Sequence, residues 1–171
     1  MLVCESSMKP LMFFYLVHMR SVMNALVFTK SAESTTRLVR LFEYFEQSWS
    51  TATTTSSNST LIACAYSSDL PASERKNIFE KFKSREIHMY VIQLTQSGNV
   101  HFVFRLVCSD LISRGIDIDH VSHVVSYDAP VDMRKYVHRV GRTARAGREG
   151  CAWTLVEEQE VALLTKILET H

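Results

Sequence analysis

The sequence contains few glycine, proline and cysteine residues. Its 171 residues include five glycines and three prolines, and none of its four cysteines forms a Cys-x-x-Cys pair. This argues against a disulfide scaffold and a cysteine-bound zinc site of common spacing. Scattered thiols in apolar surroundings, such as "LIACAY" and "LVCSD", predict buried, reduced cysteines and an intracellular protein.

Long hydrophobic runs and a large net charge are also missing. The run "LMFFYLV" (Leu11–Val17) is shorter than the roughly 20 apolar residues that cross a bilayer. Glu5 precedes it, where a signal peptide would be positively charged. We therefore expect Leu11–Met19 to be a packed helix and expect no membrane partner. With a net charge of +1, any nucleic-acid or nucleotide site must come from local clustering.

Two common nucleotide-binding motifs are absent. The chain contains neither the phosphate loop G-x-x-x-x-G-K-[ST] nor the pattern G-x-G-x-x-G. It therefore does not carry a complete nucleotide site of either kind.

Short apolar runs, which predict strands, alternate with amphipathic segments, which predict helices. The strand candidates are "ALVFT", "LIACAYSS", "SHVVSYDAP" and "CAWTLVEE". The helix candidates are "ESTTRLVRLFEYFEQ" after a Ser31 N-cap, "ASERKNIFEKFKSRE", "VDMRKYVHRVGRTA" and "QEVALLTKILE". This alternation predicts an α/β three-layer sandwich, with helices on both faces of a parallel central sheet.

The predicted organisation is a lead-in helix within 1–24 and one domain over 25–171. The polar stretch "SWSTATTTSSNST" predicts a mobile loop over 48–60. Ligands of parallel sheets bind beyond the carboxyl ends of the strands. We expect "CSD", "YDAP" and the arginine-rich segment described next to emerge there.

An arginine-rich segment, "VHRVGRTARAGREG", spans Val137–Gly150 and has an arginine at every third position from Arg139 to Arg148. Guanidinium groups bind phosphate oxygens bidentately and stay charged. Arg142 and Arg145 would share a face if the segment were helical. The alternative is a solvated basic patch.

A second block, "CSDLISRGIDI" (Cys108–Ile118), places Asp110 and Asp117 on either side of Arg114-Gly115. Its plain alternative is a strand-to-helix loop with an internal Arg–Asp pair. Four of the five glycines lie between Gly115 and Gly150, so demanding backbone geometry is concentrated in these two blocks.

Taken together and in order, "LVFTKS", "SDLISRGIDI", "SYDAP" and "HRVGRTARAG" resemble the second RecA-like domain of DEAD-box RNA helicases, over nearly the whole chain. His138-Arg139 before "VGRTAR" favours the DEAD-box branch. "TARAGREG" and "YDAP" are similar to the subgroup that acts on pre-ribosomal RNA. The resemblance implies RNA and pre-ribosomal proteins as partners, and a nuclear or nucleolar location in a eukaryote.

The resemblance also implies an ATP site, with Mg²⁺, shared with a first RecA-like domain that supplies the phosphate loop and the metal-holding acidic motif. Arg142 and Arg145 match the arginine fingers of such sites, which are the catalytic residues of this half. No residue of this chain is expected to bind the metal. Residues at nucleotide or interdomain positions are Asp117 near the ribose, Phe28 beneath the fingers, and His138, Arg139 and Gly141.

The RNA positions implied by the resemblance are Ser109, Arg114, Gly115 and Arg75. Ser109 stands where the family usually has threonine, and its hydroxyl can still donate to a phosphate. Ala72 stands where the family often has glutamine, which removes one expected contact.

One segment departs from the family pattern. Deleting Tyr90–Arg105 joins "IHM" to "LVCSDL" and restores a continuous strand. The codons required for Met89-Tyr90-Val91 contain an intron-start consensus, and Phe104-Arg105 can encode an intron end, so a translated intron is one interpretation. The alternative is an inserted hairpin. With the insert present, we expect His101–Cys108 to fill the central strand position and Ile87–Gln93 to be displaced.

Three functions are open at this point. The chain is a helicase component that is inactive alone, a stand-alone RNA- or protein-binding fragment, or a non-functional truncated product. An in-frame upstream phosphate loop would favour the first.

Overall fold

The computed structural model describes residues 1–20, 22, 24–52, 64–66, 70–83, 105–109 and 121–169. The strands are β1 Leu2–Val3, β2 Ala25–Thr29, β3 Cys64–Tyr66, β4 Arg105–Ser109, β5 His123–Ser126 and β6 Cys151–Val156. The helices are α1 Lys9–Met19, α2 Ala32–Ala52, α3 Ala72–Lys83, α4 Met133–Val140 and α5 Glu158–Glu169, with a short 3₁₀ turn at Ser6–Met8.

The strands form one parallel sheet in the order β1-β6-β5-β2-β4-β3. Every residue of the central strand β2 is buried, as expected for a parallel strand covered on both faces. The predicted α/β fold with a parallel sheet is confirmed.

Two apolar clusters lie on opposite faces of the sheet, because successive strand side chains point to opposite sides. On one face, Val27, Val107 and Val125 pack with residues of α1 and α2, including Phe13 and Phe42. On the other face the cluster is formed by Leu26, Phe28, Cys108, Val121 and Val124, with Ile78 and Phe79 of α3 packed against it. Within the described residues, no helix is long and apolar enough to cross a membrane.

The segment before β2 contains more than the predicted helix. Leu2 and Val3 pair in parallel with Leu155 and Val156, so β1 is an edge strand of the same sheet. Residues 1–24 therefore contribute a strand as well as a helix to the domain.

The predicted 48–60 loop begins as helix, since α2 continues to Ala52. Trp49 explains the extension, because its ring lies 5.6 Å from Phe14 and 5.2 Å from His18 between ring centroids. The predicted Ser31 N-cap is present: the Ser31 hydroxyl accepts a hydrogen bond from the Ser34 amide at 3.1 Å. Residues 53–60 lie outside the described part of the chain.

The region of the insert is described only at its end. Arg105, the last residue of the proposed insert, opens β4 and pairs with Ala25, and Ser109 closes β4 opposite Thr29. Residues 84–104, including Ile87–Gln93 and His101–Phe104, lie outside the described residues. The displacement of Ile87–Gln93 stays a prediction.

The prediction of buried cysteines is confirmed for Cys108 and wrong for Cys151, which is exposed at the start of β6. Cys4 is partly buried, and burial raises the pKa of its thiol.

Candidate functional site

Helix α4 and the loop that follows it run from the carboxyl ends of the strands to their amino ends. The arginine-rich segment begins in the second half of this helix. The helix begins beyond the carboxyl end of β5, where the Asp132 side chain caps it by accepting from the Lys135 amide at 2.8 Å. Since β5 and β6 are parallel, α4 must run back against them. Thr143 then donates its hydroxyl to the Val121 carbonyl, before the start of β5, at 2.9 Å.

The part of the arginine-rich segment that follows α4, from Gly141 to Gly150, therefore lies at the amino ends of the strands. The prediction that it would emerge at the carboxyl ends, together with "CSD" and "YDAP", is wrong. "YDAP" does follow the carboxyl end of β5, and β4 ends at Ser109 of "CSD".

Arg142 and Arg145 lie beyond the helix, which ends at Val140 with Gly141 as its C-cap. They consequently do not share a helical face, and their positions are set by hydrogen bonds to the backbone. The Nε of Arg142 donates to the His138 carbonyl at 3.2 Å, and that of Arg145 to the Gly141 carbonyl at 2.7 Å. The Nε of Arg148 donates to the Arg145 carbonyl at 3.2 Å.

The loop from Gly141 to Gly150, here called the arginine loop, is anchored at Thr143. Thr143 is buried, and a Cβ on Gly150 would overlap its hydroxyl, so only glycine fits there. Ala144, Ala146 and Gly147 have φ angles of 56°, 54° and 75°, in the left-handed region that favours glycine. The loop is thus held in one tight conformation that costs backbone strain at two alanines.

Arg139 points into the protein. It is 1% exposed, donates from Nη1 to the Asp128 carbonyl at 2.6 Å, and has its guanidinium carbon 5.3 Å from the centre of the Phe28 ring. The resemblance implied that Arg139 faces another domain and that Phe28 lies beneath the fingers. In this structure Phe28 lies beneath Arg139, whereas His138 and Gly141 are exposed.

The predicted RNA residues that the structure describes lie at the carboxyl ends of the strands, opposite the arginine loop. Thr29, Ser109 and Tyr66 are the last residues of the adjacent strands β2, β4 and β3. Arg75 lies in the first turn of α3, close enough to Tyr66 that its charge opposes the rise in the Tyr66 pKa caused by burial. The Arg75 Nε is buried and has no hydrogen-bond partner among the described residues.

The remaining predicted positions, Arg114, Gly115 and Asp117, lie outside the described residues. The structure thus separates the predicted site, with Arg142 and Arg145 in the loop at the amino ends of the strands and Ser109 with Arg75 at the carboxyl ends.

Asp128, in the "YDAP" segment, links the end of β2 to Arg139, and the sequence predicted no role for it. It is 9% exposed, and its carboxylate accepts from the Lys30 amide at 2.8 Å while its carbonyl accepts from Arg139. A cleft of about 370 Å³ opens beside it, between the first turn of α1 and α2. A buried aspartate directly after an apolar strand was the available signal.

Comparison with known proteins decides the family. Residues 8–147 match the family model described as "Helicase conserved C-terminal domain". The chain belongs to this family. The helicase C-terminal domain is 38% identical to the ATP-dependent RNA helicase dbp6 of Schizosaccharomyces pombe over 167 residues, which are 98% of this chain and 24% of that protein. It thus spans about a quarter of that relative's length.

Solved structures share the fold. A DEAD box protein from Methanococcus jannaschii superposes with a TM-score of 0.74 and 23% identity, over 99% of this chain and 38% of that one. S. cerevisiae Dbp5, bound to RNA and ADP BeF3, gives a TM-score of 0.71 and 21% identity, over 98% and 37%. The resemblance to the second RecA-like domain of DEAD-box helicases is confirmed.

Proposed function

We propose that this helicase C-terminal domain is the half of an ATP-dependent RNA helicase that brings Arg142 and Arg145 to the γ-phosphate of ATP. The phosphate loop and Mg²⁺ would be held by a first RecA-like domain. The observation that carries the proposal is the backbone fixation of both arginines on an anchored loop.

Fixation of this kind suits transition-state stabilisation. A guanidinium has five N–H donors, and the Nε bond to a carbonyl uses one of them while fixing the plane of the group. Charge developing on the phosphoryl oxygens is stabilised best by donors that need not reorganise during the reaction. An arginine finger contributes about 10³–10⁵ in rate in related phosphoryl transfers.

RNA is proposed to bind Ser109 and Arg75 at the carboxyl ends of the strands. Arg114 and Gly115 are proposed as further RNA contacts from the resemblance alone. Dbp5, which shares this fold, is bound to both RNA and ADP BeF3. In this proposal the amino ends of the strands contact ATP and the carboxyl ends contact RNA. Because phosphate contacts carry little sequence information, binding is expected to be sequence-poor and weakened by salt.

A finer proposal concerns the substrate. The likeness to dbp6, along with the "TARAGREG" and "YDAP" segments, supports pre-ribosomal RNA as substrate, pre-ribosomal proteins as partners and a nucleolar location.

The test uses a two-domain protein, made by joining the first RecA-like domain of S. pombe dbp6 to this chain with 90–105 removed. Arg142→Lys and Arg145→Lys are each expected to lower kcat of RNA-stimulated ATP hydrolysis at least about 100-fold, because lysine keeps the charge but loses the planar fork. RNA binding without nucleotide should not change.

Arg148→Lys is the matched control, since Arg148 lies in the same loop and also binds a backbone carbonyl. It is expected to keep its activity. Full activity in Arg142→Lys and Arg145→Lys would mean that the arginine loop is a solvated basic patch.

A further inference from the structure

Tyr66 lies beside the proposed RNA site, and the sequence predicted no role for it. It is the last residue of β3, the outermost strand on one side of the described sheet. Strand β3 pairs with β4 so that Tyr66 is opposite Cys108, one residue before Ser109. Tyr66 is therefore at the carboxyl ends of the strands, where RNA is proposed to bind.

The Tyr66 side chain lies on the face of the sheet that α3 covers. Its ring packs against the apolar cluster that contains Phe28, Cys108 and Leu26, while the residue as a whole stays partly exposed. Tyrosine combines an apolar ring with a polar hydroxyl, and it suits places where one end is packed and the other is wet. The packed ring limits the directions in which the hydroxyl can point.

Arg75 reaches the same place from the first turn of α3. Burial raises the pKa of Tyr66, and the nearby charge of Arg75 partly opposes that rise. The Arg75 Nε is buried without a hydrogen-bond partner, and no ion pair involves Arg75 within the described residues. A buried donor without an acceptor is costly, so this arginine indicates an acceptor that a ligand supplies.

The two side chains offer complementary donors. With its raised pKa, the Tyr66 phenol stays protonated at neutral pH and can donate a hydrogen bond. The Arg75 guanidinium adds a permanent charge and further N–H donors. Arginine and tyrosine are both among the side chains that contact phosphate oxygens in nucleic-acid complexes.

We propose that Tyr66 is a further RNA-contacting residue, and that its hydroxyl and the Arg75 guanidinium donate to the same phosphate of the RNA backbone. This inference rests on the proposed RNA site at the carboxyl ends of the strands, and it does not involve the arginine loop. Arg75 supplies the charge, and Tyr66 adds a directional hydrogen bond.

The first test measures the affinity of the full 171-residue chain for a labelled single-stranded RNA of about ten nucleotides, by fluorescence anisotropy at low salt. Tyr66→Phe removes only the hydroxyl and keeps the packed ring. It is expected to weaken binding about five- to tenfold, since a hydrogen bond to a charged acceptor is lost. Tyr44→Phe is the matched control and should bind like the wild type, because Tyr44 is 67% exposed on α2, on the other face of the sheet.

Salt dependence separates the two contacts. Arg75→Gln removes a charge, so the slope of log K against log salt concentration should become shallower by about 0.7. Tyr66→Phe should leave this slope unchanged, because the phenol is neutral. Arg40→Gln is the control for Arg75→Gln, since Arg40 is exposed on α2, and it should change neither affinity nor slope appreciably.

The double variant Tyr66→Phe/Arg75→Gln tests whether the two donors share one phosphate. Its loss of affinity should differ from the product of the single losses by at least about threefold, because groups that contact one ligand atom group are not independent. Independent losses, or weakened binding in Arg75→Gln with unchanged binding in Tyr66→Phe, would overturn this inference and leave the proposed RNA site in place. Unchanged binding in both single variants would overturn the proposed RNA site as well.

Discussion

Arg139 connects three parts of the protein with one buried charge. Taking a guanidinium out of water is costly unless it is hydrogen-bonded, and here the Asp128 carbonyl and the face of Phe28 supply the compensation. Asp128 in turn holds the Lys30 amide at the end of β2. Because the arginine loop follows directly after α4, the buried contacts of Arg139 also fix the start of the loop that carries Arg142 and Arg145.

Backbone strain in the arginine loop gives a prediction at Ala144. A non-glycine residue in the left-handed region costs roughly 1–2 kcal/mol, part of which glycine recovers after its greater loss of entropy on folding. Ala144→Gly is therefore expected to raise the free energy of unfolding by about 0.5–1 kcal/mol, measured by urea denaturation.

Ala162→Gly is the matched control. Ala162 is exposed in the interior of α5, so the same substitution should lower the free energy of unfolding by about 0.5–1 kcal/mol. Equal destabilisation in both variants would show that Ala144 is not strained.

The ion pairs of Lys9 give a pH dependence. The pKa of Glu157 is lowered chiefly by the hydrogen bond from Lys9, with a further contribution from Ser6. A carboxyl with a depressed folded-state pKa stabilises the fold above its ordinary pKa of 4.5, and this stabilisation is lost as the pH falls through the folded-state value.

Glu157→Gln is therefore expected to cost about 1 kcal/mol at pH 7 and progressively less below pH 4.5, measured by urea denaturation across pH. The adjacent, exposed Glu158→Gln should leave both the stability and its pH profile nearly unchanged. A constant difference between Glu157→Gln and the wild type down to low pH would contradict this origin.

Strands and helices with strong periodicity could be predicted from the sequence, and those that depend on distant partners could not. "ALVFT" and "CAWTLVEE" are apolar runs long enough to indicate strands. The two residues of β1 have no pattern of their own and exist through pairing with Leu155 and Val156. The end of α2 looks like a polar loop, but it contains no glycine or proline, and Trp49 packs it onto α1.

Strand β4 is where the proposed insert can be tested. Removing 90–105 would join Met89 to Leu106, so Met89 would take the register of Arg105 opposite Ala25. The strand should survive, with unchanged hydrogen-exchange protection at Val107 and Cys108. The thermal midpoint should rise by about 2–4 °C, because a shorter connection costs less loop-closure entropy.

A variant with 90–104 replaced by a glycine-serine segment of equal length separates length from content and keeps Arg105 at the start of β4. If the segment only lengthens a connection, this variant should melt close to the wild type. A deletion that leaves the midpoint unchanged or lower would favour a native hairpin that contributes to the fold.

The division of the predicted site between the amino and carboxyl ends of the strands could not be predicted from the sequence. The residue types of the arginine-rich segment indicate phosphate binding, and its pattern predicts a helix that continues to Ala144. Gly141 ends the helix earlier, and hydrogen bonds to His138 and Gly141 replace the helical spacing. The burial of Arg139 and Lys9 had no signal either, because charged residues are rarely buried unless paired, and their partners are distant in sequence.

The lack of a phosphate-loop motif predicts the behaviour of the 171-residue chain alone. Its sequence has no G-x-x-x-x-G-K-[ST] phosphate loop to cradle the phosphates of ATP or position Mg²⁺. The chain is therefore expected to bind RNA weakly, with strong salt dependence, and to show no RNA-stimulated ATPase in a phosphate-release assay. S. pombe dbp6 is the positive control, and adding its isolated first RecA-like domain tests whether the halves combine. Robust turnover by the chain alone, abolished in Arg145→Ala, would mean that it holds a complete nucleotide site of another kind.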